Sequence, residues 1–159
     1  MKNAIVLLVL SVFIAFASCK KESNLSKVPK IDFKVMFPDS LTSGNSGDTI
    51  YIQFSLEDGD ADLGHDPNQT ENYDIYIKDA RVDTFTGYFF PKIDDFIKNP
   101  AKGIQGDCYF LVLGTFTFVR DDSIHVTLGD TTQYDIYIKD LAGNESNRIT
   151  TGPVYIRPI

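Results

Sequence analysis

The chain has no tryptophan, two cysteines and two histidines among 159 residues. Each shortage removes a class of function. Without Trp, the largest platform for stacking on a sugar ring is missing. His65 falls in a loop and His125 in a strand-like run, with no metal-ligand spacing between them, so no transition-metal site is expected. Basic residues are also scarce, 15 Lys and Arg against 22 Asp and Glu, for a formal charge of -7. An acidic domain would approach phosphates against its own field, so nucleic acid is excluded as a partner. There is no Gly-rich phosphate loop and no serine-nucleophile motif, and no enzyme activity is expected. No stretch has the period of an amphipathic helix.

The first residues carry the one long apolar run. Lys2 is a positive start, Ala4 to Phe16 is apolar, and small residues lead to Cys19. The run is too short for a comfortable membrane span and reads as a secretory signal over residues 1–18. Phe16-Ala17-Ser18-Cys19 resembles a bacterial lipobox, with Phe16 where Leu is usual. That resemblance implies cleavage before Cys19 and acylation of Cys19, and several acyl chains anchor stably where one is marginal. Cleavage would leave 141 residues, enough for one domain with a core. Residues 19–30 are polar and read as a lipidated tether. With Cys19 acylated, Cys108 has no partner for a disulfide. It lies in an apolar run, so a buried small hydrophobe is expected rather than a reactive thiol.

Residues 31–159 are dominated by period-two patterns. Ile31, Phe33, Val35 and Phe37 share one face, as do Ile50, Ile52, Phe54 and Leu56. Tyr73-Asp74-Ile75-Tyr76-Ile77-Lys78-Asp79 recurs without change as Tyr134-Asp135-Ile136-Tyr137-Ile138-Lys139-Asp140. The flanks differ, so the repeat is read as two equivalent strands of one sheet structure and not as a duplicated domain. Tyr109 to Val119 is apolar on both faces, as a central strand would be. Ile124 to Leu128 reads as another strand, Phe85 and Phe89 as core, and Asp94 to Lys98 as one helical turn. Pro153 places the last strand at an edge or a bulge. Short strands between Gly, Asp and Asn turns predict an all-β antiparallel two-sheet sandwich of about seven or eight strands. A barrel is the alternative.

One turn stands out, Glu57-Asp58-Gly59-Asp60-Ala61-Asp62-Leu63-Gly64. Carboxylates crowded at a strand end repel one another unless a cation or N–H donors lie among them. The turn departs from an EF-hand loop, since Leu63 stands where Gly is needed and Gln69 where the bidentate Glu belongs. A Ca²⁺ site of Asp58, Asp60 and Asp62 is one reading. A solvated turn whose Asp side chains cap backbone N–H groups is the other.

Taken with Ser18-Cys19-Lys20-Lys21, the acidic turn and the second repeat with its Leu141-Ala142-Gly143-Asn144-Glu145-Ser146-Asn147 extension resemble the small envelope lipoproteins of Bacteroidota. The last motif also resembles the closing hairpin of bacterial Ig-like domains. These resemblances imply an Ig-like sandwich held by a lipid anchor in the bacterial cell envelope, at the outer membrane. They carry no catalytic residue. The function expected is a non-enzymatic structural or protein-interaction module, with an envelope protein or glycan as partner. The alternatives are a glycan- or nutrient-binding surface lipoprotein and a hydrolase with a dispersed site. A long exposed edge strand favours the first, a concave Tyr-lined face the second, and a cleft joining His to carboxylates the third.

Overall fold

The computed structural model describes residues 24–64, 73–91, 93–94 and 102–159. Cys19, the signal sequence, His65, Gln69 and most of the expected turn at 94–98 lie outside the described residues. Ten strands follow in order: β1 Lys30–Phe37, β2 Ser40–Thr42, β3 Thr49–Asp58, β4 Ile75–Asp79, β5 Thr86–Tyr88, β6 Ile104–Leu113, β7 Asp130–Thr132, β8 Tyr134–Ile138, β9 Ile149–Thr150 and β10 Val154–Arg157. The all-β class is as expected, and the pairs are antiparallel except β2 with β10. Among the described residues no sheet closes into a barrel, and no helix is long and apolar enough to cross a membrane.

The sheets run β1-β3-β6, β2-β10-β7 and β5-β4-β8-β9. The last two are joined along the chain, because only Gln133 separates β7 from β8 and only residues 151–153 separate β9 from β10. That second break holds Pro153, which has no N–H for a ladder. Thr151 bridges the gap, its hydroxyl accepting from Tyr134 N and its own N–H donating to Tyr134 O, each at 2.9 Å. These two breaks raise the strand number above the expected seven or eight. The core is one cluster drawn from all three sheets, including Ile31, Ile50, Ile52, Phe54 and Leu56 on one side and Ile75, Ile77, Ile136, Ile138, Val154 and Ile156 on the other. It is built from alternate residues of each strand, as the period of two requires.

The identical heptapeptides are neighbours. β4 and β8 pair antiparallel with Ile75 opposite Ile138, Tyr76 opposite Tyr137, Ile77 opposite Ile136 and Lys78 opposite Asp135. The sequence Tyr-Asp-Ile-Tyr-Ile-Lys-Asp is self-complementary in that register. Its middle Tyr meets itself, and the rings of Tyr76 and Tyr137 stack at 4.7 Å and 2°. Lys78 Nζ lies 3.3 Å from Asp135 Oδ2. Tyr73 leaves the pattern, for it precedes β4 and is exposed against Phe89.

Three local expectations are corrected. In β1 the register shifts between Phe33 and Val35, so Val35 and Phe37 turn outward and Met36 packs against the core. A β-bulge flips every later side chain. Ile124 to Leu128 is not a strand. Asp122 Oδ1 accepts from Ile124 N at 3.0 Å and His125 N at 2.9 Å and starts a helical turn at His125–Leu128. The run from Tyr109 is an edge strand, not a central one. It ends at Leu113, before a 3₁₀ turn at Gly114–Phe116, and its outer residues are exposed.

Candidate metal centre

Strand period places the acidic residues. Ile50, Ile52, Phe54 and Leu56 point inward, and two residues on Asp58 takes the next inward position at the end of β3. Its side chain is fully buried. Tyr134, Ile136 and Ile138 point inward from β8, and Asp140 continues that phase, also buried. Both strands therefore deliver a carboxylate to one end of the core. Between Asp58 and Asp62 the chain turns through Ala61, at a left-handed φ of 57°. Buried Ala61 and Leu63 hold the turn down, alternating with half-buried Asp60 and Asp62.

Hydrogen bonds tie this turn to the hairpin after β8. Asp62 O accepts from Leu141 N at 2.9 Å, and Asp62 Oδ2 accepts from Ala142 N at 3.1 Å. Asp62 N donates to Asp58 Oδ2 at 3.1 Å. Asp140 accepts from Asn144 N and Nδ2, both at 2.7 Å. Asn147 then clamps β1, accepting from Ile31 N at 3.0 Å and donating to Ile31 O at 2.7 Å. The hairpin motif thus has a structural reading, residue by residue.

The capping is incomplete. Oδ1 of Asp58, of Asp60 and of Asp62 is buried with no N–H or hydroxyl donor, and among the described residues the only side-chain partner of Asp58 and Asp62 there is the Asp60 carboxyl. One oxygen from each of Asp58, Asp62 and Asp140 lies within 4.8 Å of the other two. Among the described residues no Lys, Arg or His bridges any of these four carboxylates. Burial pushes the Asp58 carboxyl up to about 7, with Asp62 and Asp60 adding repulsion. Burial, then Asp140 and Asp60, raises Asp62 to about 6. The solvated-turn reading accounts for Asp62 Oδ2 and Asp140 but not for the buried oxygens left without donors.

No family model, curated protein or solved structure matches this chain. The site is therefore read from its own atoms. Sequence reasoning grouped Asp58, Asp60 and Asp62; the structure brings Asp58 and Asp62 together with Asp140, and Asp60 is not part of that cluster. Sequence reasoning missed Asp140, whose signal was the phase of Tyr134, Ile136 and Ile138.

The other candidates fare differently. His125 Nδ1 lies 2.5 Å from Asp122 Oδ2, but its Nε2 faces Arg120 Nη2 at 2.9 Å, and no hydroxyl or thiol contact to the ring occurs among the described residues. Burial pushes the Cys108 thiol up to about 11, far from a nucleophile, and its side chain packs against the core as expected. Phe85 is half-buried at the surface, edge-on to Tyr137 and beneath Lys78 and Arg148, and Phe89 is exposed, so neither is core.

Proposed function

We propose that this chain is a non-enzymatic, lipid-anchored module of the bacterial cell envelope, an Ig-like sandwich of the kind found in small Bacteroidota lipoproteins, that engages a protein partner. The observation that carries the reading is β6. It is ten residues long, pairs only with β3, and leaves its other edge open among the described residues. It has no Pro or Lys and one charge, Asp107, so the usual devices that blunt an edge are missing. Its outer face adds Tyr109, Leu111 and Leu113, exposed by 59%, 50% and 45%. Register continues that face across the sheet, with Leu111 beside Tyr51 and Tyr51 beside Phe37, whose rings stack at 5.2 Å. A contiguous apolar patch on a strand edge is what a partner covers.

The rival readings have less support. Tyr137 is stacked on Tyr76 with Arg148 5.2 Å from its centroid, so its ring is already engaged and is no open sugar platform. A cleft of about 410 Å³ opens between β6 and the β4–β5 edge, over Ile77, Phe110, Val112 and Tyr134. Its described lining holds no His and one carboxylate, Asp79, which is taken by Arg81 and Thr132.

The test is photo-crosslinking in intact cells from position 109. The parent should join one partner, and Leu111→Lys with Leu113→Lys should abolish the adduct while the far-ultraviolet spectrum is unchanged. Cys19→Ser should leave the membrane fraction and take up no labelled fatty acid. An adduct that survives both lysines would contradict the interface, and a Cys19→Ser chain that is still acylated would contradict the anchor.

A further inference from the structure

We infer that Asp58, Asp62 and Asp140 hold one Ca²⁺ that joins the end of β3 to the hairpin following β8. This stands apart from the reading of β6, and either can fail alone. The acidic cluster would not by itself argue for a ligand. The independent observation is Asp58, a fully buried side chain that reaches within 4.8 Å of the other two carboxylates and whose Oδ1 has no N–H or hydroxyl donor. A buried carboxylate left in that state is strongly disfavoured. A cation held between the carboxylates of Asp58, Asp62 and Asp140, which approach one another within 4.8 Å, supplies the partner that Asp58 lacks.

The chemistry of the donors selects the ion. All are carboxylate oxygens, which suit hard cations, and among the described residues no imidazole or thiolate joins them. Oxygens around Ca²⁺ stand about 2.3–2.6 Å from it, so a shell is about 5 Å across. Asp58, Asp62 and Asp140 fit that span at 4.8 Å or less. Mg²⁺ keeps several waters and binds through one or two carboxylates, which a largely buried cluster of three does not suit. Asp140 accepts from Asn144 at both oxygens, yet each oxygen has a second lone pair for the ion.

The consequence is mechanical. The two distinctive motifs lie 80 residues apart yet already touch through Asp62 and Ala142. The turn also holds the chain leading in from Cys19, because Gly59 N donates to Ser26 O at 2.7 Å. One ion would therefore lock β3, the hairpin and the anchor-proximal segment as a unit.

The experiment is calorimetric titration of the full chain in detergent with CaCl₂, after chelation, with thermal melts in parallel. One Ca²⁺ per chain and a raised midpoint are expected. Asp140→Asn should weaken the affinity at least tenfold, and Asp135→Asn, outside the cluster, should not. Asp58→Asn should melt above the parent in chelator, having lost a buried charge, and should gain nothing from Ca²⁺. The inference is overturned by no heat and no shift at 10 mM Ca²⁺, by equal shifts from MgCl₂ or from NaCl at matched ionic strength, or by Asp140→Asn binding as the parent does.

Discussion

Replacing Asp130 with Asn should cost this fold about 3–5 kcal/mol, although Asp130 lies outside every proposed site. Its side chain is 1% exposed. Oδ2 accepts from Arg81 Nη1 at 2.7 Å and from Arg120 Nε and N at 3.0 and 3.1 Å. Oδ1 accepts from Arg120 Nη2 at 2.9 Å and Thr131 N at 2.8 Å. Asn keeps one acceptor oxygen, but its NH₂ would face guanidinium donors, and the buried charge of Arg81 would lose half its compensation. At roughly 2–8 °C per kcal/mol for domains near this size, the midpoint should fall by about 6 °C or more. Arg81→Met should cost about as much, since Arg81 is 14% exposed and also serves Asp79. Arg120→Met should cost far less, because that guanidinium is half exposed. The assay is thermal and urea unfolding of the full chain between pH 7 and pH 3. Burial alone would raise the Asp130 carboxyl, but Arg120 and Arg81 outweigh burial and hold it below the usual carboxylate range. A depressed carboxyl contributes stability above its unfolded value, about 4, and loses it as pH falls towards the folded value. The gap between parent and Asp130→Asn should therefore be widest at neutral pH and narrow below pH 4. A loss under about 1 kcal/mol, or a gap unchanged from pH 7 to pH 3, would refute the reasoning.

Two further substitutions probe the acidic turn. Ala61 sits at φ 57°, where an L residue pays roughly 1–2 kcal/mol, so Ala61→Gly should be neutral or stabilising by up to about 1 kcal/mol while Ala61→Val costs more than about 2; urea midpoints decide it, and a large loss from Gly would contradict the strain. A Cβ on Gly59 would lie 2.5 Å from Leu25 O and 2.6 Å from Ser26 O, so Gly59→Ala should loosen the segment ahead of β1 and cost about 1–3 kcal/mol. Limited proteolysis should then cut near residues 25–28, and an unchanged cleavage pattern would show that the segment does not depend on that contact.

The period of two made the inward faces of β3, β4 and β8 readable before any coordinates, because alternation alone assigns Ile50 to Leu56 and Ile136 to Ile138. The same rule misread Val35 and Phe37, since a bulge adds a residue without any mark in the apolar pattern. It misread β6 for a different reason. Apolar residues on both faces signal burial on both faces only if something covers them, and Tyr109, Leu111 and Leu113 are left to solvent here. Ile124, Val126 and Leu128 alternate like a strand, but Asp122 caps the backbone first and starts a helical turn. The described part of the segment read as a polar tether, residues 24–30, is docked, since Pro29 is buried and Ser26 holds Gly59. For the site, Asp58 and Asp62 were legible because they are local. Asp140 was not, because its proximity depends on how β8 lies relative to β3, and no short-range pattern contains that.

The most direct test is an anomalous-difference map from crystals of the protein grown in Ca²⁺. The account predicts one calcium peak at the end of the core, with oxygens of Asp58, Asp62 and Asp140 about 2.3–2.6 Å away. An ordered cluster with the same carboxylates and no peak among them, or a peak bound elsewhere, would contradict it.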